Sequence, residues 1–227
     1  MLSRRSALAW LGGGVAATGF GAAYASEPRT PAFNWAPIDE YLDKARRDWN
    51  APGLAFAIVR DGAPIYAKGF GYANVENRTP VNADTIFNVG STTKAFTAAA
   101  IAIAVDEGKL AWDTPVREYL PSFRMGGEIG HADDYASVNL RDMMSHRTGL
   151  GRHDLLWYNN KDLSREALLA HLSYLNTFAP LRAKYEYNNL MVMLSGHALE
   201  KVAGISWEDY VKTKIFSPLG MARSNTS

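Results

Sequence analysis

The run Ala95-Phe96-Thr97-Ala98-Ala99-Ala100-Ile101-Ala102-Ile103-Ala104-Val105 constrains this chain more than any other stretch, because it is apolar on every side of a helix and stops near Gly108. A helix with no polar face has to be buried, so the rest of the fold is expected to close around it. Immediately ahead stands Ser91-Thr92-Thr93-Lys94. Ser91 and Lys94 are nearly one helical turn apart, which puts their side chains on one face and within reach of each other. Both are expected at the buried mouth of this helix.

Burial matters chemically. A desolvated ammonium loses its proton more easily, and a lysine can then act as a base. A serine hydroxyl is a weak nucleophile until such a group lies within hydrogen-bond reach. The plainer alternative is a serine N-cap followed by a solvated lysine in the first turn. That alternative has to find Lys94 a solvated face on an apolar helix.

With 227 residues, 47% hydrophobic and 21% charged, the chain is long enough to bury a substantial core. A formal net charge of +1 and no long run of like charge argue against nucleic acid as a partner. There is no cysteine, so disulfides and thiolate metal sites are excluded. The five histidines, at 131, 146, 153, 171 and 197, form no H-E-x-x-H or similar ligand pair, so neither a metal nor another cofactor is expected.

Residues 1–25 read as a targeting segment. Ser3-Arg4-Arg5 precedes a glycine-rich, weakly apolar run from Ala7 to Ala23, and Ala23-Tyr24-Ala25 suits signal cleavage. The paired arginines point to twin-arginine export, with the mature chain starting near Ser26 in the periplasm. Gly12-Gly13-Gly14 and Gly19 make this a poor membrane-spanning helix. No integral span is expected once the signal is removed.

In the mature chain, residues 26–112 are expected to hold a helix, a hairpin and the Ser91 helix. Residues 113–227 are expected to be mostly helical. Ser26 to Pro37 reads as an extended lead-in, and Ile38, Tyr41, Leu42, Ala45 and Trp49 have helical spacing. Two apolar runs, Gly53 to Arg60 and Ile65 to Tyr72, flank Asp61-Gly62, a hairpin signal. Glu76 to Asp84 is a polar excursion. Further on, Asp113-Thr114-Pro115 introduces Val116 to Leu120, and Asn139 with Asp142 resembles a capping box for a helix ending before Gly149. Ser164 starts another helix, Leu190 to Ala203 is a long one closed by Gly204, and Ser206 caps the last, which runs to about Phe216. Leu155-Leu156-Trp157-Tyr158 either lines a cleft or packs in an exposed loop. Two strands do not make a stable sheet by themselves, so further strands are expected from elsewhere.

Tyr187-Asn188-Asn189 is the second stretch with chemical content, in a polar turn ahead of an apolar helix. A tyrosine beside a cationic lysine has its pKa lowered and can exchange protons with a serine and a leaving group. Asn189 offers a donor and an acceptor, suited to a substrate carbonyl or to the lysine. An N-cap by Asn188 or Asn189 beside a core tyrosine accounts for the same residues.

The chain resembles the serine beta-lactamase and penicillin-binding-protein superfamily in its class C-like branch, which includes many esterases and D-amino-acid peptidases. The resemblance runs through Phe87-Asn88-Val89-Gly90-Ser91-Thr92-Thr93-Lys94, Glu107-Gly108-Lys109-Leu110, Asp113-Thr114-Pro115-Val116, and Tyr119-Leu120-Pro121. It continues through Met143-Met144-Ser145-His146-Arg147-Thr148-Gly149-Leu150, Tyr187-Asn188-Asn189 and Pro218-Leu219-Gly220-Met221. It implies an α/β fold of the α+β type, an antiparallel sheet flanked by helices with a mostly helical region. It also implies Ser91 as acylated nucleophile, Lys94 as base partner, Tyr187 as proton shuttle, and Asn189 as a residue that binds the substrate amide and orders Lys94. The implied reaction is acyl transfer from an ester or amide, a beta-lactam or D-amino-acid peptide among them, through an acyl-enzyme, so the implied partner is a small-molecule or peptide substrate. One oxyanion donor is implied to be the N–H of Ser91. His146-Arg147-Thr148-Gly149 reads as a helix terminus without a catalytic role.

The superfamily's third motif, a Lys/His-Thr/Ser-Gly on an inner strand, is absent after Tyr187. The expectation is therefore a partial chain lacking C-terminal sheet strands, with impaired stability and turnover. A non-catalytic penicillin-recognising or assembly protein, or a nonfunctional truncated product, is the alternative. No G-x-S-x-G occurs, which removes the main support for an ordinary α/β-hydrolase.

Overall fold

The computed structural model describes residues 33–126, 135–160 and 162–226. The expected targeting segment, residues 1–25, lies outside them. The chain divides into two compact units, one up to Asn82 and one from Ala83.

The first unit holds helix α1 (Ala36–Asp48) and an antiparallel sheet of β1 (Gly53–Arg60), β2 (Ala63–Asn74) and β3 (Thr79–Pro80), in that order. Helix α1 begins inside the expected lead-in, with Pro37 in its first turn, where a missing N–H costs nothing. Asp61 and Gly62 have φ of 52° and 76°, the paired positive values of a type I′ turn, so Arg60 faces Ala63 across a two-residue loop. The β1–β2 register slips once, between Ile58 and Val59. Helix α1 is tied to β2 through Asp39, which accepts from Lys68 Nζ at 2.5 Å and from the Tyr66 phenol. Burial, together with the Asp39 carboxylate, pushes that phenol up to about 12. Strand β3 falls in the polar excursion. It is only two residues long, sits at the edge where its proline is tolerated, and is reached through a turn in which Asn77 Oδ1 accepts from Thr79 N–H at 3.2 Å.

The second unit is helical: α2 (Thr93–Asp106), α3 (Leu140–Met144), α4 (Arg165–His171), α5 (Asn189–Ala203) and α6 (Trp207–Val211), the last continuing as a π turn over Lys212–Phe216. Helix α5 is its centre and packs on α2, α3, α4 and α6. Leu190, Met191, Leu194, Ala198 and Leu199 of α5 are buried with Ile101, Phe123, Leu140, Met143, Leu150 and Leu172. Each such leucine contributes about 1.5–3 kcal/mol by leaving water. The predicted caps form. Asn139 and Asp142 make a reciprocal capping box, Ser164 Oγ accepts from Ala167 N–H at 3.1 Å, and Ser206 Oγ from Asp209 N–H at 3.1 Å.

Helix α2 departs from its reading. Thr97, Ala100, Ile101 and Ala104 are buried, but Ala95 and Ala99 are exposed, so the helix has one packed face. The reason lies in its composition: the other faces are largely alanine, and an exposed methyl loses little compared with an exposed leucine. Ser91 is correspondingly exposed and Lys94 half-buried rather than deeply enclosed.

Candidate active site

A single 3₁₀ turn, Gly90–Thr92, delivers Ser91 to the start of α2. Asn88 Oδ1 accepts from Gly90 N–H at 2.9 Å, and Thr92 N–H donates to Val89 O at 3.1 Å, fixing the approach. One helical turn later, Lys94 Nζ donates to Ser91 Oγ at 3.0 Å.

The other half of the site is the N-terminus of α5. Asn188 is its N-cap, extended at φ −141° and ψ 118°, with Oδ1 accepting from Met191 N–H at 2.9 Å. Tyr187 and Asn189 flank this cap and reach the same lysine. The Tyr187 hydroxyl lies 2.7 Å from Ser91 Oγ, Lys94 Nζ donates to Asn189 Oδ1 at 2.8 Å, and Nζ stands 4.8 Å from the Tyr187 ring centroid. All four sequence-predicted residues therefore meet in one cluster. The N-cap alternative for Asn188 holds as well, because capping and site assembly use different residues of the same triplet.

An ammonium only donates, so Ser91 Oγ accepts from Lys94 and keeps its own proton available for the Tyr187 oxygen. The Lys94 and Ser91 hydrogen bonds hold the Tyr187 phenol below its ordinary value, and the positive charges of Lys94 and Arg152 add to the effect. Ionisation of this phenol, within reach of the serine, thus costs less than for a free tyrosine.

The segment 139–151 fastens this second half in place. Asp142 is fully buried and receives Arg182 on both oxygens, Nε to Oδ1 at 2.9 Å and Nη2 to Oδ2 at 2.7 Å, with Arg147 Nη2 at 2.9 Å from Oδ1. Backbone bonds run from Arg182 N–H to Arg147 O at 2.7 Å and from Glu186 N–H to His146 O at 2.8 Å. Gly149 has φ of 77°, and a Cβ there would stand 2.0 Å from Ala179 O, so only glycine admits this approach. His146 is a helix terminus as read, yet its ring also lies against Tyr187 at 4.6 Å between centroids, and its Nδ1 accepts from Asn188 N–H at 3.2 Å. Burial, and then the charge of Lys94, lowers the His146 pKa and favours this neutral, accepting ring.

Two further side chains at the cluster carry only a weak sequence signal. Asn189 Nδ2 donates to Asp154 Oδ1 at 3.1 Å, and Arg152, paired with Asp154, stands 5.3 Å from the Tyr187 ring centroid. Their sole hint is a charged trio, Arg152-His153-Asp154, directly after Thr148-Gly149-Leu150-Gly151. The aromatic stretch beyond is split: Leu155 is 91% exposed, whereas Leu156 and Trp157 pack on the core. Among the described residues no group of His, Asp and Glu is arranged to hold a metal ion.

A serine and lysine one turn apart are answered by a tyrosine and asparagine at the N-terminus of a second helix, on a chain with an antiparallel sheet and a helical unit, as the serine beta-lactamase-like resemblance implies. The beta-lactamase family matches residues 38–227, and the chain belongs to that family. It is 37% identical over 191 residues to an unguisins hydrolase of Aspergillus campestris (strain IBT 28561), covering 81% of this chain and 34% of the relative. The octameric penicillin-binding protein homologue from Pyrococcus abyssi superposes with a TM-score of 0.72 at 29% identity, over 83% of this chain and 44% of that one. EstCE1, a hydrolase with promiscuous acyltransferase activity, gives a TM-score of 0.73 at 25% identity, over 82% and 51%. The chain thus spans between a third and about half the length of these relatives.

Proposed function

We propose that the protein hydrolyses an ester or amide, in the manner of the class C-like branch, through an acyl-enzyme on Ser91. The contact of 2.7 Å between Ser91 Oγ and the Tyr187 hydroxyl carries this reading, together with the lowered pKa of that phenol. In the proposed sequence the Tyr187 phenolate takes the Ser91 proton as Oγ bonds to the carbonyl carbon. The oxyanion is met by the Ser91 N–H, at a helix start where free N–H groups and the dipole favour negative charge. Tyr187 then protonates the departing alcohol or amine as its bond to the carbonyl carbon breaks. Water adds to the acyl-enzyme by the reverse path, giving its proton to Tyr187, which returns it to Ser91. Lys94 serves as partner to the base Tyr187 rather than as the base itself, its ammonium stabilising the phenolate and orienting Oγ, and Asn189 holds Lys94. Substrates are small esters or amides, peptide-derived ones included, a range supported by the hydrolases and penicillin-binding homologue it resembles. Twin-arginine export places this activity in the periplasm, on the strength of Ser3-Arg4-Arg5 and Ala23-Tyr24-Ala25.

The test is mass spectrometry of the intact protein after brief exposure to p-nitrophenyl acetate, with peptide mapping. One acetyl group on Ser91, absent from Ser91→Ala, is the expected result. An adduct that persists in Ser91→Ala, or maps elsewhere, would refute the assignment.

A further inference from the structure

The Asn189 side chain lies between two groups of opposite hydrogen-bonding character. On one side the Lys94 ammonium can only donate, and it donates to Oδ1 at 2.8 Å. On the other the Asp154 carboxylate accepts from Nδ2 at 3.1 Å. An amide between neutral groups can sit either way round. Here a reversal would set Nδ2 against an ammonium and Oδ1 against a carboxylate, losing both bonds and adding two repulsions.

Asp154 is itself held. Arg152 pairs with Oδ2, leaving Oδ1 for the amide. Between them, His153 takes a left-handed φ of 45°, uncommon for a residue with a side chain and held here by restraint from neighbouring segments. That restraint is visible: His153 Nε2 meets Asn176 O at 2.9 Å, its ring lies 5.8 Å from Phe178, and Asn188 Nδ2 donates to Gly151 O at 2.6 Å. The loop is thereby bent so that Asp154 faces the first residue of α5.

We propose that Asp154 is a positioning residue that fixes the polarity of the Asn189 amide, keeping Oδ1 on Lys94 and so Lys94 against Ser91. The inference deepens the reading of Ser91 as the acylated residue and rests on it for the kinetic arm of its test. Asp154 touches no reacting atom and acts only through Asn189.

This gives a double-mutant cycle its sign. The rate of adduct formation at Ser91 with a fluorophosphonate is measured on the full chain by intact mass, for wild type, Asp154→Ala, Asn189→Ala and the double variant. Misplacing a group one residue removed from the chemistry costs about tenfold to a hundredfold, which is the loss expected for Asp154→Ala. In the Asn189→Ala background the same change is expected to alter the rate by less than about twofold, since residues acting as one unit do not add. Asp154→Asn keeps an acceptor for Nδ2 and is expected to recover most of the rate, whereas a purely electrostatic role would leave it as slow as Asp154→Ala. Equal losses from Asp154→Ala in both backgrounds would overturn the proposal. If wild type forms no adduct, the reading of Ser91 fails, and the amide is then judged by NMR alone. The Asn189 side-chain amide protons are expected to exchange slowly in wild type and quickly in Asp154→Ala, and exchange unchanged by the substitution overturns the proposal.

Discussion

Replacing Asn188 by alanine removes three hydrogen bonds from a side chain with no solvent exposure. Oδ1 accepts from Met191 N–H at 2.9 Å, while Nδ2 donates to Gly151 O at 2.6 Å and to Leu150 O at 3.4 Å. Loss of the N-cap costs about 1 kcal/mol. The Gly151 carbonyl, buried and stripped of this donor, adds about 1–3 kcal/mol. The bond to Leu150 is long and is given no weight. The expected destabilisation is therefore about 2–4 kcal/mol, equivalent to a fall in Tm of roughly 5–15 °C for a chain of this size. Urea unfolding followed by circular dichroism measures it, provided the slope is unchanged so that the midpoint reports stability. Asn188→Asp separates the two contributions, since it retains the acceptor for Met191 and turns a carboxylate on the Gly151 carbonyl. It should keep the first contribution and lose at least the second, because a buried carboxylate is also repelled by the carbonyl it faces. An Asn188→Ala variant within about 0.5 kcal/mol of wild type would show that neither bond matters and refute the reasoning.

Gly149→Ala is expected to destabilise by more than about 1 kcal/mol, because the positive φ and the approach to Ala179 O both exclude a Cβ; an unchanged urea midpoint would contradict this. The His146 pKa lies below its ordinary value in the folded chain, so the stability owed to its neutral ring is present above that ordinary value and lost as pH falls through the folded one. Urea midpoints should therefore drop between about pH 7 and about pH 5 more steeply in wild type than in His146→Asn, asparagine being tolerant of the φ of 59° found there. Parallel pH dependences would exclude His146 as the cause.

Legibility in the sequence followed the range of the interactions. The turn at Asp61-Gly62 and the caps at Asn139, Ser164 and Ser206 are settled within about four residues, and their residue types announce them. Ser91 and Lys94 were legible for the same reason, as neighbours on one turn. Their meeting with Tyr187 and Asn189 needed the resemblance, because no local rule links positions almost a hundred residues apart. Asp154 lay beyond both kinds of signal. It reaches Asn189 only through the bend at His153, and a left-handed histidine leaves no mark in a sequence. Helix α2 reads as buried on all sides because hydropathy counts alanine as apolar, although an exposed methyl is inexpensive. Strand β3 is too short for an alternating pattern to register.

The separations of 96 residues between Ser91 and Tyr187, and 95 between Lys94 and Asn189, bear on how the chain acquires its site. Closing a loop of that length costs about 4 kcal/mol of chain entropy beyond a constant, whereas α2 and α5 draw their backbone bonds from neighbours within a turn. During refolding each helix can form before the other is in reach. The hydroxyl, amine and phenol become a chemical unit only when the two helix starts arrive together, so reactivity at Ser91 reports the docking of α2 and α5 rather than the formation of either helix.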